Sequence, residues 1–195
     1  MLDKFMEGIQ TMQTELCEAM RKDLGRDMFL NYVAELAGLE ASVLHDKKHV
    51  KEWMLDHREE TELFFAPGQS YTRYEPLGVV VVIGSWNAPM VTTLKPLLQA
   101  LTAGNCVIVK PSEISVHSSA AIKKFTDTYL DKDFVVTIEG AVDVAVAVNE
   151  LPSDLICFTG STAVGKIIAT KAAANLTPCI LELGGKCPLV IDHSA

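Results

Sequence analysis

The chain has 195 residues, 49% of them hydrophobic and 22% charged, with a formal net charge of −8 at pH 7. That balance suits one globular domain with a substantial core and is unlike a disordered chain. The acidic surplus, with no basic stripe to neutralise phosphates, argues against a nucleic-acid partner.

Asp3, Lys4 and Glu7 interrupt the apolar run that a signal peptide needs. From Leu2 to about Glu60 the pattern is helical. Phe5, Ile9, Met12, Leu16, Met20 and Leu24 recur at spacings of three or four, and Gly25 is placed to end that helix. A second amphipathic stretch, Phe29 to Leu55, carries Leu36, Leu39, Val43, Val50 and Trp53. His45 and His49 sit four apart on it, but no third ligand pattern accompanies them, so a solvated helix face is the simpler reading and no metal is expected. Leu63–Ala66 and Ser70–Tyr74, around Pro67-Gly68-Gln69, read as a β-hairpin.

Beyond it the character changes. Val79 to Ile83 is a continuous β-branched run, as in a strand buried on both faces, and the longest apolar run, Val79 to Gly84, is far too short to span a bilayer. Helix-like Pro89–Ala103, Ser115–Leu130, Val142–Glu150 and Thr162–Ala174 alternate with strand-like Cys106–Val109, Phe134–Ile138, Leu155–Phe158 and Cys179–Leu183. This predicts an α/β fold, a Rossmann-like, mostly parallel sheet with flanking helices, preceded by the helical segment and the hairpin. Five cysteines form no CxxC pair and no zinc spacing, and their odd number and scatter suit a reducing, cytoplasmic setting. Cys106, Cys157 and Cys179 fall in strand-like runs, where buried, inert thiols are expected.

Ligands collect at the carboxyl ends of such strands, and four of those ends are unusual. Gly84-Ser85-Trp86-Asn87-Ala88-Pro89 offers an apolar wall and an amide: Asn87 stabilises a developing oxyanion, or it caps the next helix. In Lys110-Pro111-Ser112-Glu113 the lysine and carboxylate hold the hydroxyls of a ribose, or Ser112 and Glu113 cap a helix. Gly160-Ser161-Thr162-Ala163-Val164-Gly165 starts a helix whose backbone N–H groups suit a pyrophosphate. It is not a Walker loop, because Ile167 follows Lys166, which disfavours ATP chemistry. Last comes Leu181-Glu182-Leu183-Gly184-Gly185-Lys186, a carboxylate between leucines with paired glycines behind it, or simply a turn.

Together with Tyr74-Glu75-Pro76-Leu77-Gly78-Val79 and Asn175-Leu176-Thr177-Pro178, these turns resemble the aldehyde dehydrogenase superfamily, and its class 3 branch most. The resemblance runs through essentially the whole chain. It implies NAD(P)-dependent oxidation of an aldehyde to a carboxylic acid, with Asn87 at the oxyanion and Glu182 activating water. Lys110 and Glu113 would hold the adenosine ribose and Gly160 to Gly165 would lie against the phosphates, with Trp86, Leu183 and Gly184 also at the cofactor, NAD or NADP. The resemblance divides residues 1–195 into a helical segment (1–60), a hairpin like part of an oligomerisation element (61–76) and an α/β dinucleotide-binding core (77–195). It also implies a homodimer in a full-length form and leaves membrane association undecided. Ala88 departs from the aromatic usual there. The family's nucleophilic cysteine belongs to a separate catalytic domain further along, and Cys187 stands too close to Glu182 to replace it. The expectation is therefore a cofactor-binding portion without turnover of its own, or a non-catalytic dinucleotide-binding or interaction module.

Overall fold

The computed structural model describes residues 1–195. The first apolar stripe forms α1 (Leu2–Leu24), with Phe5, Ile9, Met12, Leu16 and Met20 all buried. Gly25 ends it in the left-handed conformation, at φ 71°. The second stretch is not one regular helix. Asp27 caps a short α2 (Met28–Asn31), accepting from the Leu30 N–H at 2.9 Å. A five-residue π turn, Tyr32–Leu36, then leads into α3 (Ala37–Trp53). That wide turn brings two successive residues, Glu35 and Leu36, into the interior.

The helical segment stops at Trp53 rather than near Glu60, because His57–Glu59 is a strand, β1. It pairs antiparallel with β2 (Ser70–Thr72), His57 opposite Thr72 and Glu59 opposite Ser70. The hairpin exists, but its first strand is not Leu63–Ala66. Leu63–Phe65 is a single 3₁₀ turn inside the connection. Polar pairs decide the register. Arg73 donates twice to Asp56 at 2.7 Å, Thr72 donates to the Glu59 carboxylate at 2.8 Å, and the Ser70 N–H donates to Thr61 Oγ1 at 2.8 Å. Leu63, Phe64 and Phe65 lack the alternation that would bury one face of a strand, and all three stay exposed.

β3 (Val79–Ile83), β4 (Cys106–Lys110), β5 (Val135–Thr137), β6 (Leu155–Thr159) and β7 (Cys179–Glu182) form one parallel sheet in the order β5-β4-β3-β6-β7. The connections are α4 (Pro89–Thr102), α5 (Val116–Tyr129), α6 (Val142–Glu150) and α7 (Thr162–Ala173). Strand alternation sorts the two faces. Val80, Val82, Val107, Val109 and Val135 join residues of α1, α4 and α5 in the larger core. Val81, Ile83, Ile156 and Phe158 pack instead with Val148 of α6 and Ile168 and Ala172 of α7. The helices α1 to α3 add an outer layer over α4 and α5. From β3 the chain winds outward to β5, then returns to wind the other way through β6 and β7. A crevice therefore opens at the carboxyl ends of β3 and β6. Both edge strands are partly open, with Val136 of β5 50% and Ile180 of β7 54% exposed.

Candidate functional site

A cleft of about 980 Å³ occupies that crevice. Trp86 and Asn87 enter it after β3, Lys110 from the last position of β4 and Glu113 beyond it, Gly160, Ser161 and Val164 after β6, and Glu182 from the last position of β7 with Leu183 and Gly184 beyond it. Thr162, Ala163 and Gly165, also expected at the cofactor, do not line it.

Asn87 does not cap a helix. Ala88 is the N-cap of α4 and makes no side-chain cap bond, while Asn87 Oδ1 accepts from Ser85 Oγ at 2.7 Å. The amide nitrogen of this exposed side chain is left for another acceptor. Glu113 caps nothing either. The Lys110 ammonium, on a side chain only 2% exposed, donates to Glu113 Oε2 at 2.6 Å and to the Pro111 carbonyl at 3.1 Å. Burial pushes the Glu113 carboxyl up, but the Lys110 hydrogen bond, a backbone hydrogen bond and the Lys110 charge outweigh it, and the carboxyl ends below its ordinary value. Glu113 is thus an oriented carboxylate at neutral pH, its charge offset from beneath.

The glycines of the third turn serve packing. The Gly160 N–H is committed to the Glu182 carbonyl at 3.0 Å, and the Gly165 N–H to the Ser161 carbonyl at 2.9 Å. A Cβ on Gly160 would meet the Phe158 ring at 2.5 Å, and one on Gly165 would meet the Leu183 side chain at 2.6 Å. The absence of side chains lets β6 turn sharply into α7 and lets α7 press against the segment after β7. Ser161 caps α7, its Oγ accepting from the Val164 N–H at 3.3 Å. The N–H groups of Thr162 and Ala163 have no intrahelical acceptor, so this end of the helix keeps its positive pole open.

The helices after β3 and β4 are closed by contrast. Glu35 Oε2 accepts from the N–H groups of Met90 (2.9 Å) and Val91 (3.2 Å) at the start of α4. Asp23 accepts from those of His117 (3.1 Å) and Ser118 (2.7 Å) at the start of α5. Sequence reading singles out neither residue. The only local signal is an acid, Glu35, beside the buried Leu36. Sequence reading also misses Val142, Ala145 and Val146 of α6 and Ile167 of α7, ordinary apolar residues that wall the cleft.

No cysteine lines the cleft. Burial pushes the thiols of Cys17, Cys157 and Cys179 above their ordinary value, reinforced at Cys17 by the Glu35 charge and at Cys157 by Cys179. The rings of His45 and His49 lie with centroids 4.6 Å apart and tilted by 37°, and no group of three potential metal ligands includes them. No helix is long and apolar enough to cross a membrane.

Known proteins match this arrangement. Aldehyde dehydrogenase family 3 member H1 of Arabidopsis thaliana is 40% identical over 191 residues, covering 98% of this chain and 40% of that protein. A substrate-bound structure of Staphylococcus aureus AldH superposes with a TM-score of 0.93 at 34% identity, over 98% of this chain and 42% of that one. A Mycobacterium tuberculosis aldehyde dehydrogenase complexed with NAD+ shares the fold, with a TM-score of 0.82 at 24% identity over 95% of this chain and 38% of that one. The chain thus spans about two fifths of the length of the relatives it matches. The family model described as "Aldehyde dehydrogenase family" matches residues 1–195, and with the sheet order and the four strand-end turns in place, the chain belongs to the aldehyde dehydrogenase family.

Proposed function

We propose that the cleft binds a nicotinamide dinucleotide, NAD or NADP, and that the chain supplies the cofactor-binding part of an enzyme oxidising an aldehyde to a carboxylic acid. One observation carries the reading: the start of α7, where only the Val164 N–H is capped, by Ser161, meets the cleft through those two residues, and the same cleft receives the Lys110–Glu113 pair at the switch point of the sheet. The residues fit the group. Ser161 and the first turn of α7 suit the pyrophosphate, Glu113 accepts from ribose hydroxyls, and the apolar walls of α6 and α7 leave room for a flat base. When bound, the nicotinamide supplies the hydride acceptor. Asn87 offers its free amide to the oxygen on which charge develops. Glu182, exposed at the end of β7, takes a proton from the water that releases the acid from a cysteine thioester.

With no thiol in the cleft, residues 1–195 hold the cofactor without turnover, the dinucleotide-binding module being the second reading. The hairpin, whose connection exposes Leu63 and Phe64 at 90% each, is the element through which a longer form would self-associate. The test is calorimetric titration of NAD and NADP into residues 1–195, with cofactor reduction followed alongside a panel of aldehydes. Binding without reduction is expected. A folded chain that binds neither cofactor would overturn the reading, and turnover abolished by Cys187→Ala would show that the thiol has been misplaced.

A further inference from the structure

We propose that Glu35 and Asp23 are positioning residues, two carboxylates of the outer helical layer that cap in trans the helices whose leading turns carry Asn87 and Glu113. The proposal rests on the dinucleotide reading of the cleft.

Neither α4 nor α5 has a side-chain cap of its own: their N-cap residues, Ala88 and Ser115, make no such bond. In both helices the second and third residues have orphan N–H groups, and in both a single distant carboxylate takes the pair. Glu35 acts from 55 residues away and Asp23 from 94.

The local cost of the device shows its purpose. A buried carboxylate is expensive unless paired and hydrogen-bonded, and Glu35 is 1% exposed. Arg26 answers its charge and the α4 amides take its other oxygen. An asparagine or serine at position 88 would cap α4 more simply. Capping from outside leaves Asn87, three residues before Met90, with its amide nitrogen uncommitted. It likewise leaves Glu113, four residues before His117, free to meet the cleft instead of folding back on α5. The same two carboxylates cancel the positive poles of α4 and α5, so an anionic ligand is directed to α7, whose pole stays open.

The experiment uses residues 1–195 with Trp53→Phe, which leaves Trp86 as the sole tryptophan. Two readouts are taken on folded protein well below its melting temperature: Trp86 emission with iodide quenching in the absence of ligand, and calorimetric binding of adenosine 5′-monophosphate. Glu35→Ala is expected to shift Trp86 emission to the red and raise its quenching. Glu35→Gln, whose side-chain carbonyl still accepts from Met90 and Val91, is expected to restore the parent values. Asp23→Ala is expected to leave Trp86 unchanged and weaken the nucleotide about tenfold, as loss of a helix cap implies, with partial recovery in Asp23→Asn. The proposal is overturned if both alanine variants merely melt earlier while Trp86 and nucleotide affinity match the parent. It is overturned for Glu35 if Glu35→Gln behaves like Glu35→Ala, since the Arg26 pair rather than the cap would then matter. A parent that binds no nucleotide sinks the cofactor reading and with it the Asp23 arm, whereas the Trp86 arm needs no ligand and still decides Glu35.

Discussion

A buried ammonium beneath an exposed carboxylate is the sharpest chemical statement in this molecule. Lys110 is held where a charge is costly, and the one charge that offsets the cost is the Glu113 carboxylate, with the Pro111 carbonyl as a second acceptor. Glu113→Gln keeps the shape and loses the charge. It should weaken NAD by about 1.5–3 kcal/mol, the value of a charge-assisted hydrogen bond. It should weaken NADP less, because the parent carboxylate repels a 2′-phosphate. Parallel calorimetric titrations decide this, and equal losses for the two cofactors would remove Glu113 from the ribose site. The pH dependence has a definite sign. The folded Glu113 carboxyl lies below its ordinary value of 4.5, so its contribution is complete above that value and disappears as pH falls through the lower folded one. NAD affinity should therefore hold steady from neutral pH down to about the ordinary glutamate range and then drop, a curve that the Glu113→Gln variant should lack. Both residues were legible in sequence because they stand at a strand end. Asp23 and Glu35 were not, because a capping bond across tens of residues leaves no local pattern.

Among the elements, strands were easier to read than turns. The β-branched run Val79–Ile83 suited a doubly buried strand and is one, and the four alternating helices fell within a residue or two of their expected limits. Leu63–Phe65 misled because an apolar run resembles a strand until its partner is known, and the partner of β2 was the charged His57-Arg58-Glu59. The π turn left no trace either, since it costs one residue of phase in a pattern that tolerates such drift. At the start of α7, spacing pointed to the glycines and to the crowding a Cβ at Gly160 would cause, but not to the partners: the N–H groups of Gly160 and Gly165 are already used, and the added Cβ atoms would meet Phe158 and Leu183. Gly160→Val should force the Phe158 ring aside at a cost of about 1–3 kcal/mol in stability. It should also weaken NAD and NADP alike, because both share the pyrophosphate. Chemical denaturation measures the first effect and titration of both cofactors the second. Undiminished binding in a destabilised variant would show that the turn does not touch the phosphates.

For the molecule as a whole, burial is uneven. β3 is paired on both sides, with Val80, Val81 and Val82 at most 1% exposed, whereas β7 is an edge with Ile180 half in solvent. Leu189, Val190 and Ile191 are 83%, 91% and 72% exposed beyond it. An unprotected edge followed by β-branched residues invites pairing between copies. Purified residues 1–195 are therefore expected to associate with rising concentration in light scattering. The association should lessen when Ile180 is replaced by lysine, and a clean monomer at every concentration would contradict the expectation. The order β5-β4-β3-β6-β7 has a further consequence for how the chain comes into being. Each strand leaving the ribosome finds a finished edge to join: β4 against β3, then β5 against β4, then β6 on the opposite flank and β7 against β6. No strand has to be inserted between two already joined, so the topology permits the sheet to grow outward from its centre in the order of synthesis.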